Sequence, residues 1–305
     1  MNDIGSYLLE QSSWIYNKGL LVNDHLPEHL KPHLVDLLYS VPAAAVLTLI
    51  RFAVNKFVYK PAAERLLPVS NQTSVTINKF QESAFKFTAY LLLSLQAAIL
   101  HYQEGWITDT SRYWRVLPHG LQLPGLYLLY LAELTLYVHL IFSQFYETRR
   151  KDFLEMFIHH VVVILLIVPC YLFEFTYPAC TVMLLHDLSD IFLESAKLAN
   201  YCQKKTLCDS LFVLFACVFF LTRLVFFPFF LMQSIMIESL DYVVAPIGWY
   251  YFTIFLSVLI ALHIMWFQTI VKMAMKFLSS GGVEKDARSD DECDDQDEDQ
   301  HRKRK

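Results

Sequence analysis

The stretch "MFIHHVVVILLIV", from Met156 to Val168, places two adjacent histidines inside a run of side chains suited to hydrocarbon. A membrane-spanning helix needs about 20 mostly apolar residues, and residues 153–173 supply them. An ionisable side chain at such a depth is costly, and it usually faces a bundle interior or a water-filled cavity. The stretch therefore predicts a transmembrane helix that carries a polar site on its inward face.

The rest of the chain has the composition of a membrane protein. It has 305 residues, of which 55% are hydrophobic, whereas a soluble domain is usually about 45–50% apolar. Neither a removable signal peptide nor a basic patch typical of nucleic-acid binding is evident. We predict an all-α polytopic membrane protein with about seven transmembrane helices. The other six candidate spans lie near residues 34–54, 84–101, 121–145, 178–200, 207–232 and 243–275.

Basic residues near the ends of these spans predict the orientation. Lys and Arg concentrate after the first, third and fifth spans, and such residues favour the cytosolic side. This places the N-terminus in the lumen and the C-terminus in the cytosol. The sequon that begins at Asn71 would then face the cytosol and stay unmodified. The acidic segment 284–299 is predicted to be disordered.

A polar stripe follows the span "MLLHDLSDIFLESAKLANY", residues Met183 to Tyr201. At about 100° per residue its polar side chains share one face of the helix. The histidine pair lies roughly 10–12 Å inward from Asp152, and the stripe's aspartates lie roughly 15–20 Å inward from Asn200 on the same side. The two groups should therefore meet in the inner half of the bilayer. The stripe consists of His186, Asp187, Asp190, Glu194 and Lys197.

These residue types suit acyl transfer. An imidazole oriented by a carboxylate can act as a general base or as a nucleophile that carries an acyl group. A zinc ion held by one histidine, Asp187 and Asp190 is an alternative. Glu133 is expected either to partner a histidine or to join two helices. Arg223 is expected either to bind an anionic ligand group or to satisfy a carbonyl or carboxylate.

Two further features have alternative interpretations. The run Arg149, Arg150 and Lys151 is either a positive-inside anchor or a phosphate-binding mouth. Cys170 and Cys180 flank one short turn, and they either form a luminal disulfide or pack as small apolar residues.

Two motifs carry a family resemblance. "RRKDFLEMFIHHVVVILLIV" (149–168) followed by "LLHDLSDIFLESAKLANY" (184–201) resembles the longevity-assurance motif of ceramide synthases. These are TLC-domain enzymes of the endoplasmic reticulum that N-acylate sphingoid bases with acyl-CoA. The resemblance implies a six-helix TLC bundle with a polar and apolar cavity, and a member that lacks the homeobox-like insert. It implies catalytic roles for His159, His160, Asp187 and Asp190, to which we add Glu133, His186, Glu194 and Arg223 as a supporting polar site.

The resemblance also predicts substrates and regulation. The partners would be fatty acyl-CoA as co-substrate, sphinganine or sphingosine, membrane lipids and a second family member in a homo- or hetero-dimer, with no metal or other cofactor. Arg149, Arg150 and Lys151 would attract the CoA phosphates, and Ser289 in "KDARSDDE" would be phosphorylated. The terminal "HRKRK" roughly resembles a dibasic retrieval signal of the endoplasmic reticulum. Acyl-length preference would be set near 233–242, including Gln233, Met236, Glu238 and Tyr242.

The predicted organisation divides the chain into five parts. They are a luminal segment 1–33, a first transmembrane helix 34–54, a cytosolic linker 55–78, a catalytic TLC domain 79–277 and an acidic tail 278–305. Two rival functions stay open. One is a non-catalytic TLC protein that binds lipid or associates with a translocon, and the other is a metal-dependent membrane hydrolase.

Overall fold

Helices make up nearly all of the chain that the structure describes. This computed structural model describes residues 33–104, 110–115, 125–147, 151–173, 175–241 and 246–280, and these ranges contain no strand. The helices are α1 (Leu34–Leu66), α2 (Ser74–Glu104), α3 (Arg112–Arg115), α4 (Leu126–Ser143), α5 (Phe153–Leu172), α6 (Thr176–Tyr201), α7 (Lys205–Leu240, with its last turns irregular) and α8 (Pro246–Ser280).

The predicted all-α polytopic membrane fold is confirmed. Among the described residues, six helices (α1, α2, α4, α5, α7 and α8) are long and apolar enough to cross a membrane. Helix α6 carries the polar stripe and is therefore less apolar, but its 26 residues extend roughly 39 Å. It packs between α2 and α7, which shields its polar face from lipid. We treat α6 as the seventh crossing.

Helix α1 is longer than the sequence predicts. It continues from Leu34 to Leu66 through the first half of the segment expected to form a linker, with π-helical turns at Asn55–Tyr59. Helix α2 then begins at Ser74. The basic residues that indicated a linker, including Lys56 and Lys60, are tolerated near a helix end because their long side chains reach polar surroundings.

The segments between helices gather at two opposite ends of the bundle. At one end, the Asn71 amide donates to the Tyr201 carbonyl at 2.8 Å and Lys86 pairs with Glu147 at 2.7 Å. At the other end, the Trp114 indole donates to Ser234 Oγ at 2.8 Å. We call these the Glu147 end and the Trp114 end. By the orientation predicted above, the Glu147 end is cytosolic.

Helix α7 widens in its middle. Residues Phe220–Met232 form π-helical turns that contain Pro228. Proline has no backbone N–H and clashes with the preceding turn, and π-helical turns let a helix accommodate such an interruption. This widened stretch holds Arg223, which is 3% exposed, against α6.

Candidate active site

A polar cavity runs from the middle of the bundle to the Glu147 end. Its volume is about 160 Å³. One wall carries charged and titratable groups, whereas the facing wall from α7 and α8 is mainly apolar, with Arg223 and Thr269 as polar members. The polar wall includes Lys86, Glu147, His159, His160, Asp190 and Lys197, and the apolar wall includes Phe212, Phe219, Trp266 and Ile270.

The two adjacent histidines of α5 line this polar cavity together. His159 is 7% exposed and His160 is 5% exposed, and their ring centroids lie 5.8 Å apart. The Tyr137 ring contacts both, at 6.1 Å and 5.9 Å, and Trp266 packs edge-on against His159 at 5.3 Å. Within the described residues, neither Nδ1 has a hydrogen-bond partner. Both rings therefore have a nitrogen that is not committed to the fold.

Asp190 lies at the polar cavity with an arginine as its partner. Arg223 Nη2 pairs with Asp190 Oδ2 at 2.9 Å and donates to the His186 carbonyl at 2.8 Å. Of the two roles considered for Arg223, the structure places it as the partner of a carboxylate and a carbonyl. No hydrogen bond between described residues joins Asp190 to His159 or His160, so direct orientation of a histidine by this aspartate stays a prediction.

Asp187 lies away from the polar cavity, beside Glu133 of α4. The two residues are 2% and 1% exposed, and their carboxyl groups are close enough to influence each other's charge, but within the described residues no hydrogen bond joins them. Two neighbouring carboxylates cannot both be ionised at low cost in such surroundings. Both expected roles of Glu133, as a partner of a histidine or as a link between two helices, therefore stay predictions.

A second histidine pair lies behind the first. His186 Nδ1 is 2.7 Å from the Val182 carbonyl, which can only accept, so this nitrogen carries a hydrogen. With neutral rings, His186 Nε2 then accepts from His263 Nε2 at 2.9 Å. The His186 ring stacks on His159 with centroids 6.4 Å apart. His263 was not among the site residues predicted from the sequence, although its polar ring on the apolar helix α8, three residues before Trp266, was a usable signal.

An apolar cavity continues from these rings toward the Trp114 end. It has a volume of about 90 Å³ and lies among α5, α6 and α8. Tyr137 lines both cavities, so the two cavities adjoin at this ring. From Val163 to Cys170 along α5, and from Leu259 to Trp249 along α8, the wall extends roughly 10–15 Å.

Charged residues at the Glu147 end are paired. Glu194 pairs with Lys197 at 2.7 Å. Glu147 pairs with Arg51 and with Lys86, each at 2.7 Å. Burial alone would raise the pKa of the Glu147 carboxyl, but the charges of Lys86 and Arg51 outweigh it and hold that pKa well below its usual range.

Several predicted residues lie elsewhere. Lys151 is exposed, while Arg149, Arg150, Tyr242 and Ser289 lie outside the described residues. In the segment expected to set acyl length, Gln233 is exposed, the Met236 carbonyl accepts from the Trp249 indole, and Glu238 accepts from Ser234. The apolar cavity is instead lined from this segment by Ile235 and Ser239.

Two alternatives find no support in the described chain. Cys170 and Cys180 are buried free cysteines, so the disulfide alternative is not supported. In the same described ranges, no three His, Cys, Asp or Glu side chains converge as metal ligands would. The zinc alternative therefore lacks a ligand set there.

The chain is similar to known proteins over most of its length. The TLC-domain family model matches residues 79–272. Human ceramide synthase 5 is 40% identical over 224 residues, which cover 73% of this chain and 57% of that protein. Bovine ceramide synthase 4 is 32% identical over 339 aligned positions, covering 92% of this chain and 86% of the relative. Ceramide synthase LOH1 of Arabidopsis thaliana is 32% identical over 293 residues, covering 88% of this chain and 94% of that protein. The chain therefore belongs to the ceramide synthase family of TLC-domain proteins.

Proposed function

We propose that this protein is a ceramide synthase, an acyltransferase that moves a fatty acyl group from acyl-CoA to the amine of a sphingoid base. The observation that carries the proposal is the position of His159 and His160. Both line a cavity that reaches the charged Glu147 end, and Tyr137 beside them also lines an apolar cavity. A thioester with a polar carrier and an apolar tail has matching surroundings on the two sides of these rings.

The substrates would approach from different directions. CoA phosphates cannot enter hydrocarbon, so the carrier would stay at the Glu147 end, near Lys86 and Lys197, with Arg149, Arg150 and Lys151 attracting it. The acyl tail would extend past Tyr137 into the apolar cavity. The long-chain base would enter sideways from the membrane along the apolar wall that α7 and α8 contribute to the polar cavity.

Two chemical routes fit a histidine, in the first instance His159. In one, a ring nitrogen attacks the thioester carbonyl, the carbon–sulfur bond breaks, and the thiolate leaves with the ring's other proton as the CoA thiol. The base amine then attacks the acyl-imidazole, the amide bond forms, and the ring nitrogen leaves with the amine proton. In the other, the ring removes the amine proton while the amine attacks the thioester carbonyl directly, the carbon–sulfur bond breaks, and the ring returns the proton to the leaving thiolate, which departs as the CoA thiol.

The neighbouring groups would support either route. His160 and Asp190 would stabilise positive charge on the ring, while Glu133 and Asp187 can hold one proton between them. Mass spectrometry of the intact protein with acyl-CoA and no amine distinguishes the routes. An added acyl mass indicates the acyl-imidazole, and no added mass favours direct general-base catalysis.

The location of the reaction is part of the proposal. We place the protein in the endoplasmic reticulum membrane, with a luminal N-terminus and a cytosolic C-terminus. Basic residues at the Glu147 end and the tail "HRKRK" support it. A homo- or hetero-dimer and phosphorylation at Ser289 stay predictions from the family resemblance.

The central test is amide synthesis by the purified chain. Labelled acyl-CoA and sphinganine should give ceramide with the wild type, whereas His159→Ala and Asp190→Ala should lose at least about 10²-fold in rate. His101→Gln is a matched control, since His101 is a buried histidine, 1% exposed, that lines neither cavity. If the wild type forms no amide, or His159→Ala retains full activity, the proposed function is wrong.

A further inference from the structure

Trp114 lines the apolar cavity at its far end, beside Phe175. The residue lies on the short helix α3, distant in sequence from the other residues that line this cavity. Its side chain is 3% exposed and packs edge-on against Phe175, with ring centroids 6.1 Å apart. Phe175 in turn contacts Phe252 at 5.4 Å. Three aromatic rings therefore meet where the cavity ends.

A chain of hydrogen bonds fixes the indole in place. Its N–H donates to Ser234 Oγ at 2.8 Å, and Ser234 Oγ donates to Glu238 Oε2 at 2.6 Å. Thr110 Oγ1, on the same segment as Trp114, donates to Glu238 Oε1 at 3.2 Å. Moving the ring would leave a buried N–H without a partner, which is unfavourable. The indole side chain is therefore expected to keep this position when a ligand enters the cavity.

We propose that Trp114 is the end stop that limits how long an acyl chain the enzyme accepts. This inference rests on the proposed function, because it assumes that the acyl tail occupies the apolar cavity. The segment around 233–242 then acts through its hold on Trp114. Ser234 and Glu238 anchor the indole, while Ile235 and Ser239 form part of the side wall.

The size of the stop sets the expected shift. An extended acyl chain lengthens by about 1.3 Å per methylene, and an indole extends roughly 5 Å from its attachment. Replacing the indole with a methyl group should therefore admit about two to four more methylenes. Since one methylene in an apolar pocket is commonly discriminated by about tenfold or more, the change in preference should be at least about tenfold.

The test compares chain-length profiles. Wild type and variants receive sphinganine with an equimolar mixture of saturated acyl-CoAs of increasing length, and the ceramides are resolved by mass. Trp114→Ala should shift the profile to longer chains, and Trp114→Phe should shift it less in the same direction. Ala179→Leu should shift it to shorter chains, because Ala179 lines the same cavity and is 8% exposed.

Tyr113→Leu is the matched control. Tyr113 neighbours Trp114 on α3 and is 1% exposed, but it does not line the apolar cavity. Its variant should keep the wild-type profile. If Trp114→Ala fails to fold, Trp114→Phe and Ala179→Leu decide the question.

The failures of the two proposals differ. No amide from the wild type at any chain length overturns the proposed function. Amide from the wild type and the Trp114 variants with an unchanged profile overturns the role of Trp114 alone. A shift of the Tyr113→Leu profile as large as that of Trp114→Ala also overturns it, because the effect would then not depend on lining the cavity.

Discussion

Glu147 is a carboxylate that a buried arginine and a partly buried lysine share, and its replacement should destabilise the protein strongly. Arg51 of α1 and Lys86 of α2 each approach it at 2.7 Å. Residue 51 lies before the matched TLC region, which begins at 79, so this cluster ties α1 to the domain. Glu147→Gln keeps the shape of the side chain but leaves both cations without their counter-charge.

The expected cost follows from burial. Breaking a buried ion pair by removing one partner typically costs about 3–5 kcal/mol. The Arg51 side chain is 5% exposed, but that of Lys86 is 15% exposed, so Lys86 can regain some hydration. We therefore expect about 3 kcal/mol, the lower end of the range. For a protein of this size, this lowers Tm by roughly 6–12 °C.

Thermal unfolding of the detergent-purified chain measures this loss. Glu64→Gln is the matched control because Glu64 forms an exposed pair with Lys60 at 4.0 Å, which is worth about 0–1 kcal/mol. In a double-mutant cycle, Arg51→Met and Glu147→Gln should be coupled by about 1–3 kcal/mol. A Tm within a degree or so of wild type for Glu147→Gln, or additive effects in the cycle, would refute the reasoning.

The Tm difference between wild type and Glu147→Gln should also depend on pH. Because the pKa of Glu147 lies below its ordinary value of 4.5, its stabilisation is complete above that value and is lost as the pH falls toward the folded-state pKa. The Tm difference between wild type and Glu147→Gln should therefore be constant near neutral pH. It should shrink only below about pH 4.5.

Three further predictions concern individual contacts. Arg223→Met should lower both Tm and kcat, since it leaves the Asp190 carboxylate without its counter-charge. Adding Asp190→Asn should restore much of the Tm but not kcat. A wild-type Tm for the single variant would contradict this expectation. His263→Leu should lower kcat by about tenfold with little change in the KM for acyl-CoA, because the His186 ring loses its hydrogen-bond donor. His263→Gln should recover part of that loss in kcat. Equal activities of the two variants would contradict a positioning role for His263. Asn71→Gln should not alter the electrophoretic mobility of the protein after expression in membranes competent for glycosylation. The reason is that the Asn71 amide binds the Tyr201 carbonyl at the end predicted to be cytosolic. A glycan on Asn71 would mean that the predicted topology is inverted.

Local sequence patterns were sufficient to predict the fold class. Runs of apolar residues set the transmembrane helices, and helical periodicity correctly placed His186, Asp187 and Glu194 on a protected face of α6, where all three are buried. The continuation of α1 past Val54 could not be read from the sequence, because basic residues near a membrane boundary indicate topology and not where a helix ends.

The partners of the polar residues could not be read from the sequence. Asp190 lies 33 positions from Arg223, and His186 lies 77 positions from His263. Such pairs depend on how α6, α7 and α8 pack, which no local pattern encodes. The widened turns of α7 also change the direction of Arg223 relative to an ideal helix. Similar depth of the histidines and aspartates in the membrane was therefore not enough to predict which side chains pair with one another.

The distribution of partners supports the proposal that the histidines are the reactive groups. Asp190 is paired with Arg223, Glu194 with Lys197, and Glu147 with two cations. A paired charge in a shielded cavity can take up or release a proton only by breaking its pair, which is costly. The rings of His159 and His160 carry no such pairing among the described residues, and each has an Nδ1 without a hydrogen-bond partner. Proton transfer or nucleophilic attack at these rings therefore leaves the charge pairs around the polar cavity intact.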